Sequence, residues 1–144
     1  MTMNLTPDEK RELFGDRDPD QYQDEARERW GDTDAYRESA RRTASYTKED
    51  WARIKGEAAA NTAAFAGAFT SGVAAGDSVA ADLAEEHRQH IGRWFYDCPP
   101  DMHRGLGDMY VADPRFTANY DTEHPGLAQY IRDAIHANAD RRAG

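Results

Sequence analysis

EEHRQHIGRWFYDCPPDMHRGLGDMYV, residues 85–111, carries a helix, a corner and a second helix within one stretch. Its first half continues a run in which Ala80, Leu83, His87, His90, Ile91, Trp94 and Cys98 recur at helical spacing along one face. Pro99 disfavours helical geometry at Cys98, and Pro100 suits the first position of the helix that follows. That shorter helix carries Met102, Leu106, Met109 and Tyr110. The chain's single cysteine therefore sits at the corner, with His103 five residues beyond it. Nucleophile, metal ligand and small core residue are all open roles for its thiol.

The same pattern extends in both directions. Thr47, with Glu49 and Asp50 in the first turn, caps a long helix with Trp51, Ile54, Ala58, Asn61, Phe65 and Ala68 on one face. Ser71-Gly72 through Gly76 ends it, and Asp77 or Ser78 caps the helix that leads into residues 85–98. Downstream, a turn or two is expected around Phe116 and Tyr120. A last helix begins near Pro125 and aligns Leu127, Tyr130, Ile131, Ala134, Ile135 and Asn138. No segment alternates apolar and polar residues between turn signals, so the expected class is all-α.

The first fifty residues differ. Of the 17 Leu, Ile, Val and Phe residues in the 144, only Leu5, Leu13 and Phe14 fall there, alongside 14 acidic and 9 basic side chains. So little apolar surface offsets ordering entropy poorly, which is the profile of conditional order. Helix punctuation is nevertheless present. Thr6-Pro7-Asp8-Glu9 is a capping box, Asp18-Pro19 opens a run with Tyr22, Ala26 and Trp30, and a third run carries Tyr36, Ser39, Ala40 and Thr43. Three short helices with an aromatic edge are expected, either packed permanently on the core or closing on something.

Charge and cysteine count narrow the setting. A net charge of −9 repels phosphate backbones and argues against direct nucleic-acid binding. One cysteine forms no internal disulfide, which fits a reducing cytoplasm. The N-terminal residues show no signal-peptide pattern, and no window approaches 18 consecutive apolar residues, so no membrane partner is expected.

Several constellations compete. His87 and His90 share a helix face, and with His103 and Cys98 they could supply four ligands to zinc, but the spacing matches no strong zinc signature. Glu85 and Glu86 beside His87 evoke a carboxylate-bridged metal bundle, which needs a second Glu-x-x-His that the sequence lacks. Cys98 with His103 lacks the surroundings of a cysteine hydrolase, so no catalytic residue and no cofactor are assigned. The thiol stands ahead of a helix N-terminus, which favours thiolate, and behind a helix C-terminus, which opposes it. Asn61, His87, His90 and Asn138 interrupt the apolar faces, a mixture that suits an aromatic-lined cavity for an organic ligand.

The segments NLTPDEKRELFGD, QYQDEARERWGDTDAYRESARRTASYTKEDW, EEHRQHIGRWFYDC, PPDMHRGLGDMYVADPRFTANYD and PGLAQYIRDAIHANA together resemble, almost end to end, the TipA-class (TipAS) antibiotic-recognition domain of MerR-type transcriptional regulators. The resemblance implies a globin-like helical core over 51–144, a lid over 1–50 that orders when antibiotic binds, and a thiopeptide ligand of the thiostrepton class. On that basis Phe65, His87, His90, Ile91, Trp94, Cys98, His103 and Tyr110 are expected at the ligand, with Tyr22, Trp30 and Tyr36 as lid contacts. If the family's covalent attachment to a dehydroalanine uses the position of Cys98, attachment is open to this chain; if it uses the family's other cysteine, binding is reversible only. One departure bears on that step, since the thiostrepton-responsive member has a second cysteine in a His-x-Cys-Leu-Gly context where this chain reads His103-Arg104-Gly105-Leu106-Gly107. No helix-turn-helix is read in these residues, and the expected form is a monomeric ligand-binding domain acting in sensing or drug sequestration. The alternative from another class is a metal- or haem-binding globin-like sensor.

Overall fold

The computed structural model describes residues 6–14 and 33–143. Those residues form seven helices and no strand: α1 (Pro7–Phe14), α2 (Asp34–Thr43), α3 (Lys48–Thr70), α4 (Ser78–Trp94), α5 (Pro100–Ala112), α6 (Pro114–Asp121) and α7 (Leu127–Ala143). The all-α expectation holds. The helical run expected between Asp18 and Trp30, with Tyr22 and Trp30, lies outside the described residues.

Local chemistry explains where these helices start and stop. At α1 the capping box closes reciprocally, with Glu9 N–H on Thr6 Oγ1 at 3.1 Å and Thr6 N–H on Glu9 Oε1 at 3.0 Å. The same box recurs at α3 between Thr47 and Asp50. Thr33 Oγ1 caps α2 by accepting from Tyr36 N–H, and Asp77 Oδ1 caps α4 by accepting from Val79 N–H. Helix α3 ends in a Schellman turn, in which Val73 N–H reaches Ala68 O and Gly72 N–H reaches Phe69 O. Gly72 takes φ of +84° there, which a side chain would strain. Around Phe116 and Tyr120 the chain forms a full helix, α6, opened by Asp113 as cap and Pro114 at its first position.

Two compact units emerge, one formed by Met1–Glu57 with Ile91–Asp97, the other by Ala58–His90 with Cys98–Gly144. In the first, Trp51 and Ile54 are buried and Tyr46, Trp94 and Phe95 pack around them. Lys48 of α3 pairs with Glu12 of α1 at 2.7 Å. In the second, the core is built on Phe65, Leu127, Ile131 and Ile135, each at or below 2% exposure, with alanines such as Ala80, Ala84 and Ala134 between them. Full burial of each large side chain contributes about 2 kcal/mol. The α7 stripe is buried as expected.

Three faces differ from the periodicity. Ala58 of α3 is exposed. On α5 the buried residues are His103 and Gly107, whereas Met102 is 39% exposed. A Cβ at Gly107 would lie 3.4 Å from Ile135 Cδ1 and 3.5 Å from Arg132 Cα, so glycine brings α5 close against α7 and turns His103 inward. On α4 the buried set includes Glu85, which no apolar stripe contains.

Candidate functional site

Helix α4 carries His87 and α5 carries His103, and in the second unit the two rings meet. His87 Nδ1 and His103 Nε2 are 2.8 Å apart, with ring planes 22° from parallel. One of those nitrogens must carry the proton. His103 is fully buried and its Nδ1 has no hydrogen-bond partner. A buried N–H without an acceptor is costlier than a bare lone pair. We therefore assign the proton to His103 Nε2, donating to His87 Nδ1, which leaves His87 protonated on Nε2. Both rings are held neutral. Burial, then repulsion from His90, lowers His87 from 6.5 to about 4. Burial, then the charges of His87 and Arg88, lowers His103 to about 3 against the opposing pull of Glu85.

Aromatic rings extend from this pair. Tyr110 stands edge-on to His87, with centroids 6.1 Å apart, and itself contacts Phe116 at 6.0 Å and Tyr120 at 5.6 Å. Thr117 Oγ1 donates to Tyr110 O at 2.7 Å and holds α6 to the end of α5. Sequence periodicity passed over Phe116 and Tyr120 as site residues. Their four-residue spacing behind the Asp113-Pro114 cap was the available signal.

The corner at Cys98 is fixed by ion pairing. Arg88 grips Glu85 with two nitrogens at 2.8 and 2.6 Å and donates its third to Cys98 O at 2.9 Å. Glu85 also accepts from Gln89 at 3.0 Å, from Asn138 Nδ2 at 3.0 Å and from Arg142 Nε at 2.7 Å. Burial alone would raise this carboxyl, but the donors from Arg88, Asn138 and Gln89 outweigh it and bring it down to about 2. Cys98 itself is only 4% exposed. Burial pushes its thiol up to about 11, with Arg88 opposing and Glu85 reinforcing the rise. Desolvation thus decides the balance that the flanking helix ends left open, and the thiol is protonated.

The other expected residues fall in several places. Phe65 sits in the core of the second unit, edge-on to Tyr130 at 6.5 Å. His90 is half-buried on α4. Ile91 is buried in the first unit, and Trp94, half-buried there, donates from Nε1 to Glu57 Oε1 at 2.7 Å. Tyr36 is half-buried on α2. Of the eight residues expected at the ligand, His87, His103 and Tyr110 form one contiguous cluster. Among the described residues no group of three or more His, Cys, Asp or Glu side chains is placed to hold a metal, and no helix is long and apolar enough to cross a membrane.

Among the described residues the protein is all-helical, and its second unit sets a buried imidazole pair beside a cluster of aromatic rings; its likenesses to known proteins make it a helical recognition domain. The model of the TipAS antibiotic-recognition domain matches residues 22–138, and the chain belongs to that family. It is 59% identical over 141 residues to the HTH-type transcriptional activator TipA of Streptomyces coelicolor, covering 98% of this chain and 56% of that protein. It is 35% identical over 121 residues to the HTH-type transcriptional activator mta of Bacillus subtilis, covering 84% and 46%. The chain thus spans about half the length of the curated relatives it matches. Among solved structures it resembles TipAS in complex with nosiheptide, from a thiopeptide antibiotic multidrug resistance system of Streptomyces lividans. The TM-score there is 0.90 at 57% identity, over 99% of this chain and 100% of that one. It also resembles the antibiotic binding domain of a TipA-class multidrug resistance transcriptional regulator, with a TM-score of 0.60 at 50% identity over 65% and 100%. TipA and mta are HTH-type transcriptional activators, and nothing among these likenesses favours the metal- or haem-sensor alternative.

Proposed function

We propose that this chain binds thiopeptide macrocycles of the nosiheptide and thiostrepton class, without covalent attachment, as the recognition part of a drug-responsive regulator or as a drug-sequestering domain. The observation that carries this reading is family membership joined to the near-complete structural likeness to TipAS holding nosiheptide. The chemistry of the second unit supports it. A thiopeptide presents thiazole rings, amide N–H groups and carbonyls in a rigid macrocycle. Tyr110 and its neighbouring rings offer stacking surface, and the His87–His103 pair offers a neutral, fixed-tautomer imidazole whose Nε2–H suits a carbonyl or thiazole nitrogen. On this reading His90, Phe65, Ile91 and Trp94 support or contact the ligand, and residues 1–50 act as a conditional lid to which Tyr22, Trp30 and Tyr36 contribute.

The thiol's state supports the non-covalent form. Addition to a dehydroalanine needs thiolate within reach, whereas Cys98 is buried and protonated. Gly105, at the position of the family's other cysteine, has no sulfur to offer. Action by binding rather than turnover, in the cytoplasm, completes the proposal. Calorimetric titration with nosiheptide followed by intact-mass measurement tests it. Saturable 1:1 binding with an unaltered protein mass is expected. Absence of binding would sink the functional reading, and a drug adduct lost in Cys98→Ala would sink its non-covalent part.

A further inference from the structure

The carbonyl end of α4 is capped by side chains from far upstream. A helix leaves its last four carbonyls without intrahelical donors. Ile91 O is served locally by the N–H groups of Phe95 at 2.8 Å and Tyr96 at 3.2 Å. Gly92 O instead accepts from Arg42 Nη1 at 2.8 Å, and Trp94 O accepts from the Tyr46 hydroxyl. Arg42 also reaches Asp97 at 3.6 Å and Glu38 at 3.2 Å, which sets its cation at the negative end of the helix dipole. The Tyr46 ring stands edge-on to Trp94, 5.6 Å away and 88° from parallel. Trp94 is thereby held at its carbonyl and ring by Tyr46 and at its indole nitrogen by Glu57.

We propose that Arg42 and Tyr46 are the latch of the lid: they fasten the N-terminal segment to the end of α4 and fix Trp94, so that lid closure and ligand retention are coupled. The proposal rests on the thiopeptide-binding reading above. Both residues precede the Thr47 cap of α3, so they belong to the segment poor in aliphatic side chains. In an open lid, water would serve the α4 carbonyls, the guanidinium and the phenol, so these bonds favour the closed state alone. A ligand that binds the closed state loses apparent affinity in proportion to any fall in its population. Neither residue needs to touch the ligand to act this way.

Tyr46→Phe removes one hydroxyl and keeps the ring, while Arg42→Met keeps the apolar stem and removes the cation. A neutral hydrogen bond converts to about a fivefold change in affinity and a charged one to about tenfold or more. With the full chain and nosiheptide, Tyr46→Phe is expected to raise Kd about fivefold and Arg42→Met about tenfold, mainly through faster dissociation. Arg41→Met, which removes a surface guanidinium next to Arg42 in sequence and bonded to Glu38 three residues back, is expected to stay within about twofold. The drug-free urea midpoint should be unchanged in both latch variants, since a general structural role would lower it. Unaltered dissociation rates in both, or an equal loss of stability without drug, would overturn the latch. Failure of the unaltered chain to bind nosiheptide would instead overturn the reading beneath it.

Discussion

Mild acid should weaken the fold through the His87–His103 pair, well before carboxylates begin to titrate. Both imidazoles are neutral in the native state, lowered from 6.5 to about 4 and about 3, whereas in the unfolded chain each regains its ordinary value. Groups whose native pKa is depressed lend stability in full above the unfolded value and lose it as pH falls towards the native one. The window here opens at about pH 6.5. At about pH 5 the unfolded chain holds nearly two protons that the native chain does not, which costs about 2 kcal/mol per ring and about 4 kcal/mol for the pair. Against a total of about 5–15 kcal/mol this is a large loss. With an m-value of about 2 kcal/mol/M it moves the urea midpoint down by about 2 M between about pH 7.5 and pH 5. A second loss begins only below about 4.5, where Glu85 in the unfolded chain takes up a proton that the native carboxylate, held at about 2, does not. Urea unfolding followed by circular dichroism across that range measures both limbs. The His87→Gln/His103→Gln double variant, whose amides do not titrate, should be nearly flat between about pH 7 and 5 whatever its absolute stability. A midpoint shift below about 0.5 M in the unaltered chain would refute the neutral buried pair.

Three further outcomes follow from packing and backbone geometry. Glu85→Gln leaves Arg88 and Arg142 facing a neutral amide, and should cost about 3 kcal/mol or more in urea unfolding at neutral pH. Gly105→Ala adds a methyl group on exposed α5 where nothing lies within 4 Å, and should raise stability by about 0.5–1 kcal/mol. Gly72→Ala should lower it by about 1 kcal/mol or more, because φ of +84° is strained for any residue with a Cβ. The two glycine variants, measured side by side by thermal melting, should therefore move in opposite directions.

Helix existence was written plainly in the sequence, because caps and glycine stops are local. Thr47, Asp77 and Gly72 each act on residues within a few positions, so their reading survived folding. The α7 stripe was legible too, since Leu127, Ile131 and Ile135 are apolar and evenly spaced. Helix α5 was not. Its methionines weigh heavily in a hydropathy pattern and Gly107 weighs nothing, yet close approach to α7 depends on the glycine, and that approach turns His103 inward. Glu85 was hidden for a different reason. A carboxylate reads as solvent-facing unless its partners are known, and Asn138 and Arg142 lie more than fifty residues downstream. For the candidate site, His87 and His103 were legible together only as two of four possible zinc ligands, not as a hydrogen-bonded pair. The neutral state that burial imposes on both rings was not legible, since desolvation is a property of the packed site.

The two units differ in how much they can hold by themselves. The second buries four large side chains almost completely and ties α4 to α7 through a carboxylate that three other residues besides Arg88 also reach. In the first, α2 buries only Thr43, whose hydroxyl donates to Ser39 O within its own helix. Its two tethers to the end of α4, Arg42 and Tyr46, are polar bonds whose partners water could also serve. Ordering a backbone segment costs about 1–2 kcal/mol per residue, a sum that two such bonds and one buried threonine do not offset. If the N-terminal segment orders in the proposed way, the missing free energy has to come from the ligand that favours its ordered state. A ligand able to supply it must bury a large area without losing much freedom of its own, and a rigid macrocycle meets that condition where a flexible peptide of the same composition does not.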